Sequence, residues 1–154
     1  KRIAYDVIRD QDDIPTYPED APMGPMVALT NEYAGSDGDI FSHSFKLYGL
    51  GPLIGKRTWG GIIGIWPRYA LVDGTITTQP QFSTYFVDVG WDVENYGTDP
   101  DIDVDIRPQD HAKGKDPQLE RGLAEVTKII RKEKPSLPKF APVPSMKPPR
   151  LPKR

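Results

Sequence analysis

Short apolar runs separated by turn residues dominate the first half of the chain. Residues 3–8 predict an opening strand, and the nearly all-apolar run at 26–30 predicts a strand buried on both faces, as in a parallel sheet covered by helices. That run ends in a turn-rich stretch, after which apolar residues at 40–48 follow helical spacing. The pattern therefore predicts a strand, a glycine-containing turn and a helix N-terminus in direct succession.

The second half combines short strands with one closing helix. Residues 102–106 alternate with period 2, which predicts a strand with one solvated face. Asp116 is a favourable N-cap before Pro117, and the apolar residues between them and Pro135 recur at helical spacing. Between these features we expect short strands at 54–59, 62–65, 70–72, 75–78 and 82–86. The elements together predict an α/β fold.

Proline changes this picture at the carboxyl end. The chain has 17 Pro in 154 residues, about 11% against a usual 5%. Residues 135–154 contain seven Pro, five Lys or Arg and no acidic residue, which excludes a helix or a central strand. We therefore predict an α/β domain at 1–134 and a basic, extended Pro-rich arm at 135–154, with a disordered tail as the alternative.

Composition also narrows the chemistry. The formal net charge of −2 argues against a nucleic-acid-binding protein, and no apolar run is long enough to cross a membrane. The absence of Cys excludes disulfides, thiolate metal sites and a cysteine nucleophile. No signal peptide opens the chain, so a cytoplasmic location is expected. No metal is predicted, because the alternating acids at 99, 101, 103 and 105 lack the Gly and Glu of a calcium loop. No cofactor is predicted either, because the glycine-rich stretches at 49–52 and 60–61 lack the Walker lysine pattern and the dinucleotide-binding fingerprint.

Ser36 is the candidate nucleophile. It lies between the predicted buried strand and the helix, where a side chain projects into a cleft at the carboxyl end of a sheet. The N–H groups of Asp37 and Gly38 would then point outward as donors to a negatively charged oxygen. A serine before Asp-Gly-Asp is also a common helix N-cap, and local sequence alone favours that structural role.

A base for this serine is harder to find. His43 lies seven residues further along the helix, about 10 Å away at 1.5 Å per residue, and His111 lies in a polar loop. Lys46 and Lys56 are alternatives, yet nothing in the local pattern buries either as a neutral base requires. The sequence thus contains a nucleophile without a matching base.

Four blocks of sequence, in the same order and spanning about residues 26–134, resemble the carboxy-terminal catalytic domain of the tricorn proteases. They are Leu-Thr-Asn-Glu-Tyr-Ala-Gly-Ser-Asp-Gly at 29–38, Ile-Gly-Lys-Arg-Thr-Trp-Gly-Gly at 54–61, Val-Glu-Asn-Tyr-Gly at 93–97 with Pro-Asp-Ile at 100–102, and Gly-Lys-Asp-Pro-Gln-Leu at 114–119. The resemblance implies a ClpP/crotonase-like α/β sandwich and a serine endopeptidase that hydrolyses peptides.

The resemblance also implies roles for three residues. Ser36 would be the nucleophile, the Asp37 N–H would belong to the oxyanion hole, and Glu94 would orient the base in a Ser-His-Ser-Glu tetrad. Otherwise Glu94 would be a structural acid that caps a turn. The family's His and second Ser match nothing in this sequence, so we expect an upstream segment or chain to supply them and this fragment to be inactive alone. The start at Lys1 favours the same interpretation.

The related carboxy-terminal processing peptidases provide a test of subclass. They use a lysine about 25 residues after the serine, which here falls on Gly61, so the histidine-dependent mechanism is favoured. The resemblance further implies a homo-oligomer, a hexamer in the family. The alternatives are a non-catalytic ligand-binding domain on the same fold, as in the retinoid-binding relatives, and an assembly module that presents the basic arm.

Overall fold

The computed structural model describes residues 4–6, 14–20, 22, 24–132, 138–142, 144 and 147. In chain order its strands are β1 (Ala4–Tyr5), β2 (Thr16–Tyr17), β3 (Ala28–Thr30), β4 (Leu53–Gly55), β5 (Gly64–Ala70), β6 (Ile76–Phe82) and β7 (Ile102–Asp103). Its helices are α1 (Asp37–Leu47), α2 (Pro108–His111) and α3 (Pro117–Lys132). The predicted α/β class is confirmed for the described residues.

A parallel three-stranded sheet in the order β3-β4-β7 forms the centre. Helix α1 packs on one face, where Phe45 contacts Ala28 and the fully buried Leu53. Burial of a leucine side chain stabilises a fold by about 1.5–3 kcal/mol. Helix α3 covers the opposite face, where Gly122 lies close to the side chain of Leu29. The pairing of β3 in this sheet fixes where that strand ends, and therefore where the following turn and helix α1 begin.

The strand predicted at 26–30 forms as β3, but it is not buried on both faces. Ala28 and Thr30 are buried under α1, whereas Leu29 on the α3 side remains 41% exposed. The helix meets Leu29 with Gly122, which has no side chain to cover it. The periodicity of a five-residue apolar run contains no information about which residue the covering helix presents.

Residues 64–82 differ from the predicted series of short strands. They form one antiparallel hairpin of two seven-residue strands, β5 and β6. Each strand contains a proline, Pro67 in β5 and Pro80 in β6. The pairing shifts register between Trp66 and Tyr69, which flank Pro67, and again next to Ile65, which pairs with Pro80. Proline is tolerated at such irregularities because the missing N–H is not needed there.

Helix α3 begins as predicted, since Asp116 Oδ1 accepts a hydrogen bond from the Leu119 N–H at 2.9 Å. Its buried residues, however, are Gln118 and Gly122 rather than the apolar stripe, which is formed by the residues that recur at helical spacing. Gln118 Nε2 donates to the Val104 carbonyl at 2.9 Å, which anchors the helix to the segment after β7. The stripe members Leu119, Leu123 and Ile130 remain about half exposed.

Some predicted elements are only partly matched by the observed ones. The strand expected at 102–106 is limited to the two residues of β7. Of the opening strand expected at 3–8, Ala4 and Tyr5 form β1, Asp6 does not continue it, and residues 3, 7 and 8 lie outside the described residues. Most of the 135–154 arm lies outside the described residues, so the division into body and arm stays a prediction. Within the described ranges, no helix is long and apolar enough to span a membrane.

Candidate active site

Ser36 occupies a strained backbone position at the turn between β3 and α1. Its φ of 54° and ψ of −112° place it in a region that non-glycine residues rarely adopt. Although it is the residue before the first turn of α1, its side chain makes no capping hydrogen bond and the residue is exposed. Ser36 therefore occupies the N-cap position that local sequence favours, but its side chain does not cap the helix, and the hydroxyl is left available at the surface.

The two N–H groups expected to act as donors differ from each other. The Gly38 N–H donates to the Gly35 carbonyl at 2.9 Å, so the prediction that it is available is wrong. The Asp37 N–H, by contrast, meets no acceptor in the part of the chain that the structure describes. One donor beside Ser36 is thus unoccupied at the positive end of the helix dipole.

Glu94 lies in the turn between residues 91 and 97 and binds the segment that precedes β5. Its Oε2 accepts the Ile62 N–H at 2.7 Å and the Ile63 N–H at 3.0 Å. Its Oε1 has no hydrogen-bond partner among the described residues. The carboxylate is half-buried. It therefore has both a structural role and one oxygen free to accept another hydrogen bond.

A single cavity of about 410 Å³ brings Ser36 and Glu94 together. Its other lining residues are Trp59, Gly60, Gly61, Ile63, Ile65 and Asn95. Trp59 is 69% exposed, and its ring packs against the backbones of Gly35 and Gly61. The combination of a serine, a free carboxylate oxygen and apolar walls suits a ligand that is part polar and part hydrophobic.

Neither histidine reaches this cavity. His43 Nε2 lies 3.0 Å from Asp88 Oδ2, and its ring packs 4.4 Å from that of Phe86. The hydrogen bond from His43 is the main cause that lowers the pKa of Asp88 below its ordinary value of 3.8. His111 is the last residue of α2 and is exposed, rather than lying in a loop as predicted. The expectation that both histidines are unsuitable as a base fits these positions.

Both candidate lysines are engaged in ion pairs. Lys46 Nζ lies 3.1 Å from Asp101 Oδ1 and also donates to the Asp99 carbonyl at 2.7 Å. Lys56 Nζ donates to Asp103 at 2.8 Å, and that hydrogen bond is the main cause that raises the pKa of Lys56. A general-base lysine requires a lowered pKa, so this direction argues against Lys56.

Three of the four alternating acidic residues, Asp99, Asp101 and Asp103, are likewise held in ion pairs. Asp99 accepts hydrogen bonds from the Tyr96 hydroxyl and from Arg57 Nε, both at 2.7 Å, and in that order they lower its pKa. Asp101 accepts the Leu53 N–H at 2.8 Å. The described residues contain no group of three potential ligands placed to hold a metal ion.

Sequence inspection missed the residues that shape the site. Asp39 is fully buried and accepts the N–H groups of Gly60 and Gly61, although its only visible signal was an acid in the first turn of a helix. Asn95 adopts a φ of 63° and donates its N–H to the Gly60 carbonyl at 2.7 Å. Both contacts join residues more than 20 positions apart, which no local pattern reports.

Comparison with known proteins gives consistent matches. A family model described as peptidase family S41 matches residues 3–104. The chain is 54% identical over 127 residues to Tricorn protease homolog 1 of Streptomyces coelicolor, covering 80% of this chain and 12% of that protein. It is 50% identical over 138 residues to the Tricorn protease of Thermoplasma acidophilum, covering 90% and 13%.

One solved structure extends the match to three dimensions. The crystal structure of the tricorn protease superposes with a TM-score of 0.76 at 51% identity, covering 85% of this chain and 13% of that chain. The chain therefore spans about an eighth of the length of the curated relatives it matches.

Proposed function

The chain belongs to peptidase family S41, and from that membership we propose that it supplies the nucleophile of a tricorn-type serine endopeptidase that hydrolyses peptides. The observation that carries the proposal is Ser36: an exposed, uncapped serine on a strained strand-to-helix turn, beside an unoccupied N–H. Serine hydrolases of other folds place their nucleophile on the same kind of turn, which exposes the hydroxyl.

In this proposal Ser36 Oγ attacks the carbonyl carbon of the scissile peptide bond. The hydroxyl proton passes to a histidine contributed by a segment outside this sequence, and the Asp37 N–H donates to the oxyanion. Collapse of the tetrahedral intermediate breaks the C–N bond, and the imidazolium returns the proton to the departing amine. Water then hydrolyses the acyl-Ser36 ester by the reverse sequence of proton transfers.

Glu94 completes the proposed Ser-His-Ser-Glu tetrad from this side. Its Oε2 is fixed by two backbone N–H groups, while Oε1 remains free to accept a hydrogen bond from the incoming base or from the second serine. A carboxylate in this position selects the correct imidazole tautomer and stabilises the imidazolium. The resemblance implies that the histidine and the second serine lie in the upstream segment, and the absence of His43 and His111 from the cavity lining supports this for the histidine.

Peptide hydrolysis by the full-length protein tests the nucleophile. We expect Ser36→Ala to abolish hydrolysis of fluorogenic peptides, whereas Ser44→Ala, on the same helix but outside the cavity, retains it. Normal activity of the Ser36→Ala protein would overturn the assignment. It would instead favour the non-catalytic ligand-binding alternative for this domain.

The same proposal includes a ClpP/crotonase-like sandwich, a cytoplasmic location and a homo-oligomer, a hexamer by resemblance. The central sheet with α1 and α3 on opposite faces supports the first of these. Light scattering of the full-length protein tests the assembly: a mass of six chains agrees with it, and a monomer at micromolar concentration contradicts it.

A further inference from the structure

Asp39, the third residue of α1, is a fully buried carboxylate that the proposed mechanism does not use. Its Oδ1 accepts the Gly60 N–H at 2.8 Å and its Oδ2 accepts the Gly61 N–H at 3.1 Å. A buried charge is costly unless both oxygens are satisfied, and the first turn of a helix offsets part of that cost through its dipole. This side chain therefore fixes two consecutive peptide units of another segment against the helix that begins at Ser36.

Gly61 is held from both sides by that helix and its preceding turn. Its N–H donates to Asp39, while its carbonyl accepts the Ser36 N–H at 3.0 Å. The latter hydrogen bond helps to hold Ser36 in a backbone conformation that residues other than glycine rarely adopt. If Gly61 shifts, the restraint on Ser36 is lost.

Gly60 extends the same connection toward the second candidate residue. Its N–H donates to Asp39, and its carbonyl accepts the Asn95 N–H at 2.7 Å, directly after Glu94. One carboxylate thus joins the turn that carries Ser36 to the turn that carries Glu94. We propose that Asp39 is a positioning residue that sets the relative placement of Ser36 and Glu94 through Gly60 and Gly61. This inference rests on the proposed function of Ser36.

A carboxylate is required here because two N–H donors converge on it. Asparagine has nearly the same shape but offers only one oxygen, so Asp39→Asn aims an NH₂ group at a backbone N–H. The substitution removes one hydrogen bond and leaves two buried donors facing each other. Because misplacement of a reacting group by about 1 Å costs on the order of 10²-fold in rate, we expect a fall in kcat of about 10- to 100-fold.

The experiment compares full-length wild-type, Asp39→Asn and Ser42→Ala proteins. Ser42 is the matched control: it is buried on the same helix and contacts the Thr30 hydroxyl, not the Gly60–Gly61 segment. Active sites are counted by the extent of fluorophosphonate labelling at Ser36, and kcat is divided by that count. We expect kcat per labelled site to fall in Asp39→Asn with KM and the shape of the pH profile retained. Ser42→Ala should keep the wild-type kcat per site even if its melting temperature falls.

A purely structural role predicts a different result. Asp39→Asn would then yield fewer labelled molecules, each with wild-type kcat, and that outcome would overturn the inference while the proposed function stands. If the asparagine variant does not fold, Asp39→Ser, a smaller polar residue at the same position, is measured in the same way. Absence of labelling at Ser36 in the wild-type protein would overturn the proposed function, and this inference with it.

Discussion

Ser36 combines an exposed hydroxyl with an unfavourable backbone. A φ of 54° is uncommon for a residue with a Cβ atom, and its cost is on the order of 1–3 kcal/mol. Such strain is tolerated where the surroundings over-determine the conformation, as the Ser36 N–H to Gly61 carbonyl hydrogen bond does here. The sequence could suggest Ser36 from its place between a strand and a helix, but not the backbone conformation in which its hydroxyl does not cap that helix.

This strain predicts a stability difference between two inactive variants. Ser36→Gly relieves the unfavourable φ, whereas Ser36→Ala retains it. The greater entropy of glycine in the unfolded chain offsets part of the gain, so we expect Ser36→Gly to be more stable than Ser36→Ala by about 1 kcal/mol. Thermal or urea unfolding measures the difference. An alanine variant at least as stable as the glycine variant would show that the turn is not strained.

Two substitutions of Glu94 separate its proposed catalytic role from its structural role. Glu94→Gln keeps a carbonyl oxygen for the Ile62 and Ile63 N–H groups but removes the charge, so we expect near-native stability and a loss of kcat of about 10²- to 10⁴-fold. Glu94→Ala also leaves both N–H groups without their acceptor, which adds about 1–3 kcal/mol of destabilisation. Full activity of the glutamine variant would reduce Glu94 to a structural acid.

At the scale of elements, the block Glu-Asn-Tyr-Gly at 94–97 is a turn in which each residue has a separate contact. Asn95 binds the Gly60 carbonyl, and the Tyr96 ring lies 4.1 Å from the Arg57 guanidinium carbon. Gly97 has a φ of 86°, and a Cβ added there would overlap the Thr58 carbonyl oxygen. Residues 95–97 are therefore needed for the packing of this turn, in addition to the proposed role of Glu94.

Gly97→Ala and Gly74→Ala separate close packing from conformational strain. Gly74, at the tip of the β5–β6 hairpin, has a nearly equal φ of 83° but open space where a Cβ would be. We expect Gly74→Ala to cost only the strain, about 1 kcal/mol, and Gly97→Ala to cost several kcal/mol more through the clash with Thr58. Unfolding midpoints measure both. Equal losses would contradict the observed contact.

The hydrogen bonds of Asp99 predict part of the loss of folding stability at acidic pH. Because hydrogen bonds from Tyr96 and Arg57 lower the pKa of Asp99 below 3.8, its contribution to stability is present above that pH. It is lost as the pH falls through the folded-state pKa. We expect Asp99→Asn to lower stability near neutral pH and to flatten the dependence on pH below about 4, measured by unfolding at several pH values.

Asp92→Asn serves as the control for Asp99→Asn. Asp92 is exposed, and its carboxylate has no hydrogen-bond partner in the described part of the chain. Its substitution should leave the curve of stability against pH unchanged. A curve for Asp99→Asn that is parallel to the wild-type curve would show that the Tyr96 and Arg57 contacts do not affect the stability of the fold.

Local patterns predicted some elements well and others poorly, for physical reasons. The β3 strand, the turn and α1 are local and follow from apolar periodicity and turn residues, as does the N-cap of α3 at Asp116. The β5–β6 hairpin was missed because Pro67 and Pro80 argue against strands unless the register shifts are known. The contacts of Asp39 and Asn95 join distant segments, so only the folded chain brings them together.

For the molecule as a whole, the main expectation is that the base lies outside this sequence. His43 is paired with Asp88 and His111 is exposed on α2, and neither lines the cavity with Ser36. We expect full-length proteins with His43→Ala or His111→Ala to retain most of the peptidase activity. A loss as large as that from Ser36→Ala in either variant would place the base within this chain.

Mass spectrometry of the full-length protein after reaction with a fluorophosphonate tests the central claim most directly, because only an activated serine reacts rapidly with this reagent. The account predicts a single stoichiometric adduct on Ser36, formed in step with the loss of peptide hydrolysis. Complete inactivation with Ser36 unmodified, and the adduct on another residue, would contradict it.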